Sequence, residues 1–159
     1  MINDRDRNYL KRCVELARTA LEEGDEPFGS VLVADNGAVL MEDYNHVSGG
    51  DHTQHPEFAI ARWAANHLTE EQRARATVYT SGEHCPMCAA AHGWAGLGRI
   101  VYASSSAQLV EWLGDFGVPP SRVRALRIEE VIADTVVDGP DPELAEQVRE
   151  LHRLSRAKN

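Results

Sequence analysis

An apolar hairpin followed by strands that alternate with helices most constrains how this chain of 159 residues folds. Two β-rich runs, residues 28–34 and 38–44, flank Asp35-Asn36-Gly37, and an Asn-Gly turn between such runs predicts a β-hairpin. Shorter β-rich runs follow at residues 78–80 and 99–103. Strands that alternate with helices predict an α/β sheet covered by helices on both faces.

The apolar periodicity predicts the helices. The first starts at a cap formed by Asn3 or Asp4 and stops before Gly24, since glycine favours the left-handed conformation found there. Asp141 before Pro142 predicts the cap of the last helix. Between them, the pattern predicts helices at residues 56–68, 86–97 and 106–112, a solvated connection at 69–75 and a strand at 128–133.

Composition limits the class of protein. The length and the 43% apolar content suit one folded domain, predicted over residues 1–159. No apolar run is long enough to span a bilayer, and the N-terminal residues do not resemble a secretory signal, so we expect a cytoplasmic protein without a membrane partner. The net charge of −9 disfavours a nucleic-acid partner, because phosphates are bound by clustered Lys and Arg.

Two short motifs carry the candidate chemistry. His55-Pro56-Glu57 and Cys85-Pro86-Met87-Cys88 each place proline where a helix tolerates it best, at its first position. His55 and Cys85 are therefore predicted at helix caps, with Cys88 one turn further on. An imidazole and two thiolates are good zinc ligands, and three protein ligands leave the fourth position of a catalytic ion open. Glu57 is predicted to carry protons beside the metal.

Two other classes fit parts of the pattern. A thiol oxidoreductase would use Cys85 and Cys88 as a redox pair, but it would not need His55 and Glu57. A non-catalytic binding module stabilised by zinc would need a fourth protein ligand. The third cysteine, Cys13, lies on the apolar face of the first helix and is predicted to be a core residue.

The ordered pair of motifs resembles the signature of the zinc-dependent cytidine deaminase superfamily, closest to its bacterial guanine deaminase and tRNA adenosine deaminase branch. The resemblance extends to about residue 103. It includes a segment similar to Pro-Phe-Gly-Ala at residues 27–30, and Glu83 before the cysteine motif. It implies a three-layer α/β/α fold with a central mixed sheet of about five strands. It also implies a Zn²⁺-dependent aminohydrolase with His55, Cys85 and Cys88 as metal ligands and Glu57 as catalytic residue.

The same resemblance implies substrate-binding positions. Phe28 would stack on a planar base, Asn45 at the end of the second strand would bind the base, and Asp115 would contact a ring N–H or amino group. The chain departs from the family at Pro56, where alanine is usual, and at His84, where proline is usual. His84 is assigned to the substrate pocket, with a fourth metal ligand or a surface loop residue as alternatives.

The charge favours a small substrate. The resemblance implies that it is a free nucleobase or related heterocycle of guanine, cytosine or triazine type. The alternatives are a nucleoside deaminase acting on cytidine, guanosine or adenosine, and a tRNA adenosine deaminase. The small residues of 89–96 and the habit of the family imply a homodimer. The tail lacks the terminal aromatic lid that would close a purine pocket. The three tryptophans lie in helical patterns and are predicted to be packing residues rather than platforms for base stacking: Trp63, Trp94 and Trp112.

Overall fold

The computed structural model describes residues 1–158. It contains a mixed five-stranded sheet in the order β2-β1-β3-β4-β5. The strands are β1 (Gly29–Val33), β2 (Val39–Tyr44), β3 (Thr77–Gly82), β4 (Ile100–Ser104) and β5 (Val137–Asp138). The first three strands pair antiparallel, with β1 between β2 and β3, whereas β3, β4 and β5 run parallel. The predicted hairpin and the mixed sheet are confirmed.

Seven α-helices and one 3-10 turn connect these strands within residues 1–158. They are α1 (Asp4–Glu22), the 3-10 turn (Val47–Gly49), α2 (Pro56–His67), α3 (Glu70–Arg75), α4 (Pro86–Ala95), α5 (Ser106–Asp115), α6 (Ile128–Val131) and α7 (Pro142–Ala157). Asn3 caps α1 and Asp141 caps α7 as predicted. In the described part of the chain, no helix is both long and apolar enough to cross a bilayer.

The helices cover both faces of the sheet. Helices α1, α5 and α7 bury one face in a core that includes Leu10, Trp112 and Val148. Helices α2, α4 and α6 cover the other face through two smaller clusters, which contain Ile60 and Ile128 respectively. This arrangement confirms the three-layer α/β/α fold.

The sheet brings three distant segments to one edge. Because β1 is antiparallel to both neighbours, its first residue lies level with the ends of β2 and β3. Gly29 pairs with Tyr44, and Ser30 pairs with Thr80. The loops that follow β2 and β3 lead to α2 and α4, so both predicted motifs start from this edge.

Three local predictions were wrong. Residues 70–75 form α3 rather than a connection, because Thr69 and Gln72 make a reciprocal capping box at its start. Residues 128–131 form the short helix α6 instead of a strand, and β5 follows at Val137–Asp138. Trp94 is 92% exposed on α4, whereas Trp112 is buried as predicted.

Candidate metal centre

The starts of α2 and α4 carry the candidate metal ligands. Pro56 and Pro86 occupy the first helical turns, and His55 and Cys85 are the N-cap residues, as predicted. Neither side chain makes a capping hydrogen bond, although the backbone N–H of Cys88 interacts with the sulfur of Cys85. Both side chains therefore remain available to a ligand, and Cys88 joins them from the first turn of α4.

The three side chains converge. The Nδ1 atom of His55 lies 3.5 Å from the sulfur of Cys85 and 3.5 Å from the sulfur of Cys88. All three ligand atoms lie within 4.8 Å of one another, and among residues 1–158 they form the one such group. Zinc bonds of about 2.0–2.3 Å place tetrahedral ligands roughly 3.5 Å apart, so this donor set fits Zn²⁺.

Electrostatics favour a cation at this point. The hydrogen bond with Cys88 and the neighbouring His55 lower the pKa of Cys85 to about 4, which makes it a thiolate at neutral pH. The hydrogen bond between His55 and Cys85 raises the pKa of His55. The pKa of Cys88 is raised mainly by its hydrogen bond to Cys85, with burial as the second cause. A bound divalent ion would replace the shared protons and stabilise the second thiolate.

Glu57 lies in the first turn of α2 and is 5% exposed. Burial raises the pKa of its carboxyl group. One carboxylate oxygen, Oε1, lies 3.0 Å from the hydroxyl of Ser30 and 2.9 Å from the hydroxyl of Thr80. A buried carboxyl group is thus held against the sheet two residues from the first candidate ligand, where it can exchange protons.

Glu83 fastens the segment that leads to the cysteines. Its carboxylate accepts the backbone N–H of Ser106 at 2.9 Å and that of Ile128 at 2.9 Å, the first residues of α5 and α6. Its own N–H donates to the carbonyl of Ser104 at 2.8 Å. Glu83 therefore joins the end of β3 to the end of β4 and to two helices.

Two of the four predicted substrate-binding residues lie at the same edge of the sheet. Phe28 is half-buried immediately before β1, and a Cβ atom on Gly82 would lie 3.4 Å from its ring. Asn45 is 1% exposed directly after β2; its N–H donates to the carbonyl of Phe28, and its Oδ1 accepts from the N–H of Val47. Substrate binding by either residue stays a prediction.

Neither of the other two belongs to the group of three converging ligand atoms, although His84 directly precedes Cys85. His84 is 1% exposed, so the alternative that it is a surface loop residue is wrong. The centroid of its ring lies 5.4 Å from that of the His92 ring. Burial lowers the pKa of His84 and favours the neutral ring. Asp115 is exposed at the last residue of α5, about 14 Å along the helix from Ser106 at a rise of about 1.5 Å per residue. The roles of both residues in substrate binding stay predictions.

Sequence reasoning missed the two hydroxyl groups on Glu57. In the sequence, Ser30 stands out only as part of the segment that resembles Pro-Phe-Gly-Ala, and Thr80 only as a residue of a predicted strand. The available signal was the hydroxyl at Ser30, where that segment has alanine, because a polar side chain in an apolar strand needs a buried partner.

The fold and this donor set define the class of zinc-binding deaminases. Residues 3–104 match the family model of the cytidine and deoxycytidylate deaminase zinc-binding region. The chain belongs to this family. Zn²⁺ is the metal of the family, and the converging His55, Cys85 and Cys88 supply suitable ligands.

Relatives within the family differ in their substrates. The chain is 34% identical over 112 residues to a probable cytosine deaminase of Schizosaccharomyces pombe, covering 69% of this chain and 67% of the relative. It is 38% identical over 105 residues to the guanine deaminase of Bacillus subtilis, covering 65% and 67% respectively. A solved structure from a study of tRNA:A34 deaminases superposes with a TM-score of 0.67 at 26% identity, covering 91% of this chain and 99% of the other.

Proposed function

We propose that this protein is a hydrolytic deaminase that converts the exocyclic amine of a free nucleobase or related heterocycle into a carbonyl, consuming water and releasing ammonia. The observation that carries the proposal is the buried Glu57 carboxyl group beside three converging side chains with zinc chemistry. Three protein ligands and an adjacent proton carrier suit catalysis, whereas a structural zinc site normally has four protein ligands.

In this reaction His55, Cys85 and Cys88 hold the ion. Zinc supplies Lewis acidity there, which lowers the pKa of water toward neutrality. Glu57 moves the protons: it accepts one from the attacking water and delivers it to a ring nitrogen. It then takes the remaining proton from the new hydroxyl on the ring carbon and passes it to the departing amine, so that the carbonyl forms and ammonia leaves. Burial raises the pKa of Glu57, which suits a group that both accepts and returns a proton.

Phe28 and Asn45 are the proposed base-binding side chains. A half-buried aromatic ring at the start of β1 can stack on a planar heterocycle. Asn45 is fixed by bonds through its backbone N–H and its Oδ1, which leaves its amide NH₂ to donate to a ring nitrogen or carbonyl. We retain His84 and Asp115 as proposed pocket residues, the first buried beside Cys85 and the second at the end of α5.

The surface supports a small substrate over RNA. The net charge is −9, and the two arginines of α3 have intramolecular partners. Arg73 donates to the carbonyls of Ala65 and Leu68 at the end of α2, and Arg75 pairs with Glu71. Near the C-terminus, Arg153 pairs with Glu150. A polyanion would have to compete with these contacts.

An ammonia-release screen tests the substrate class. The zinc-loaded protein is assayed with guanine, cytosine, an aminotriazine, the corresponding nucleosides, adenosine and a tRNA anticodon hairpin. We expect kcat/KM for at least one free base to exceed that for every nucleoside by about tenfold or more, which corresponds to about 1.4 kcal/mol in transition-state binding. The Glu57→Gln variant serves as the inactive control for ammonia released without catalysis. Deamination of the hairpin with no release from any free base would contradict the proposal.

We further propose that the protein forms a homodimer through the exposed side of α4. Trp94 is 92% exposed there, and the neighbouring Ala90 and Ala91 would allow close approach of a second copy. Trp94→Glu should weaken self-association at least tenfold, because a buried tryptophan contributes strongly to an interface. Val110→Glu, at a position 56% exposed on α5, is the matched control. Light scattering over a concentration series checks this, and a parent protein that stays monomeric would contradict it.

A further inference from the structure

Two hydroxyl groups occupy a fully buried position between the sheet and α2. Ser30 on β1 and Thr80 on β3 are directly paired across the antiparallel strands, so their side chains share one face. Both residues are 0% exposed, and their hydroxyl oxygens lie 2.9 Å apart. A buried hydroxyl costs free energy unless it is hydrogen-bonded, so their partners define what the pair does.

Both hydroxyls reach the same oxygen atom. Ser30 Oγ lies 3.0 Å and Thr80 Oγ1 lies 2.9 Å from Oε1 of Glu57. Thr80 Oγ1 also lies 2.9 Å from the carbonyl of Gly82, three residues before Cys85. An ionised carboxylate is the strongest of these acceptors, so it attracts the available hydroxyl hydrogens. Within residues 1–158, side-chain hydroxyls reach only Oε1 of this carboxyl group, which has a further hydrogen bond with the thiol of Cys88, a candidate metal ligand.

The torsion that orients a glutamate carboxylate is broad and does not lock itself. Two anchors on one oxygen select a single plane, which then fixes where the second oxygen points. Hydroxyl groups suit this task because they both donate and accept, and so they can remain bonded whether or not the carboxyl group carries a proton.

We propose that Ser30 and Thr80 are positioning residues for Glu57: they hold Oε1 and leave Oε2 as the oxygen that moves protons. This inference rests on the proposed deaminase function and deepens it. It assigns unequal roles to the two oxygens of one carboxylate. It also explains why this chain has serine where the similar Pro-Phe-Gly-Ala segment has alanine.

Kinetics of hydroxyl deletions test the proposal. Ser30→Ala and Thr80→Val each remove one hydroxyl with little change in volume, and each should lower kcat about tenfold with KM within about twofold, because only the geometry of proton transfer changes. Thr80→Ser keeps the hydroxyl and should retain kcat within about threefold. The double deletion should cost less than the product of the single losses, since both act on one atom.

Ser104→Ala is the matched control. Its hydroxyl is also buried on a central strand, but it donates to the carbonyl of Ser81 at 2.8 Å rather than to Glu57. It should lose stability with kcat near the parent value. Two results would overturn the proposal: hydroxyl deletions whose kcat equals that of Ser104→Ala, or a raised KM at unchanged kcat, which would place the hydroxyls on the substrate.

A readout without turnover separates this inference from the proposed function. If the parent deaminates none of the compounds, the deaminase proposal fails, and the contact is then tested by unfolding. Ser30→Ala, Glu57→Leu and the double variant form a cycle of unfolding equilibrium constants. If the effect of the double variant on the unfolding equilibrium constant differs by about fivefold or more from the product of the two single effects, the Ser30–Glu57 interaction is supported. If it equals that product, the interaction is overturned.

Discussion

Replacing Glu57 by glutamine should lower the turnover of the zinc-loaded protein by about 10²–10⁴-fold while one zinc ion per chain is retained. Glutamine keeps the size of the side chain and one carbonyl oxygen for the hydroxyls of Ser30 and Thr80. It cannot accept and return a proton near neutral pH. The loss should therefore appear in kcat rather than in metal content or KM.

The measurements are steady-state ammonia release, zinc analysis and thermal unfolding of the same preparation. Burial raises the pKa of this carboxyl group, which means that burial disfavours its ionised form. Replacing it by a neutral amide should therefore cause little loss of thermal stability, even though turnover falls. Glu143→Gln is the matched control. Glu143 lies at the start of α7, where it pairs with Arg7 of α1, and α7 covers the opposite face of the sheet from α2 and α4. Turnover by Glu57→Gln within about threefold of the parent would refute the assigned role.

The metal ligands could be predicted from the sequence because each depends on local rules. Proline fixes the start of a helix, so His55 and Cys85 had to be caps, and a three-residue step brings Cys88 back to the same end. The one long-range requirement was that the two helix starts meet. Here the likeness to a known family supplied what spacing alone could not.

The hydroxyl pair on Glu57 could not be predicted in this way. Ser30 and Thr80 are fifty residues apart, and their contact depends on the register of β1 against β3. A shift of β1 by one residue would turn Ser30 to the face of the sheet opposite Thr80. Register follows from the packing of the whole sheet, which no short window of sequence contains.

The wrong assignments near α3 and α6 have local explanations. The capping box of Thr69 and Gln72 was present in the sequence, but its surroundings were polar enough to suggest a loop. Ile128 and Val131 fit a short helix as well as a strand, and four residues are too few for periodicity to decide between them. The N–H of Ile128 is bound by Glu83, a contact across forty-five residues.

Cys88→Ser should abolish tight zinc binding and lower thermal stability, whereas Cys13→Ser should not affect zinc binding. The two cysteines are matched because both are 0% exposed, and only Cys88 lies in the converging group. Loss of one of three ligands should weaken zinc affinity more than 100-fold, since removing mere supporting contacts already costs about 10–100-fold. Competition with a chromophoric chelator measures this change.

The expected difference in thermal stability between Cys88→Ser and the parent follows from the linkage between zinc binding and folding. A ligand present at a thousand times its Kd stabilises the folded state by about 4 kcal/mol, which for a chain of this length corresponds to a Tm shift of about 10 °C. Excess EDTA should lower the Tm of the parent and of Cys13→Ser by that amount and leave Cys88→Ser nearly unchanged. Cys13→Ser should show a lower starting Tm, because burying a hydroxyl in an apolar core is unfavourable.

The same experiment decides between zinc chemistry and thiol redox chemistry at Cys85 and Cys88. A zinc site predicts about one ion per parent chain and free thiols that react only after chelation. A redox pair predicts a metal-free parent in which the two cysteines form a disulfide under air and recover with reductant. The low pKa of Cys85 suits either a metal ligand or a nucleophile, so metal content rather than thiol reactivity is the deciding measurement. A metal-free, disulfide-bonded parent would contradict the zinc centre and the hydrolytic mechanism together.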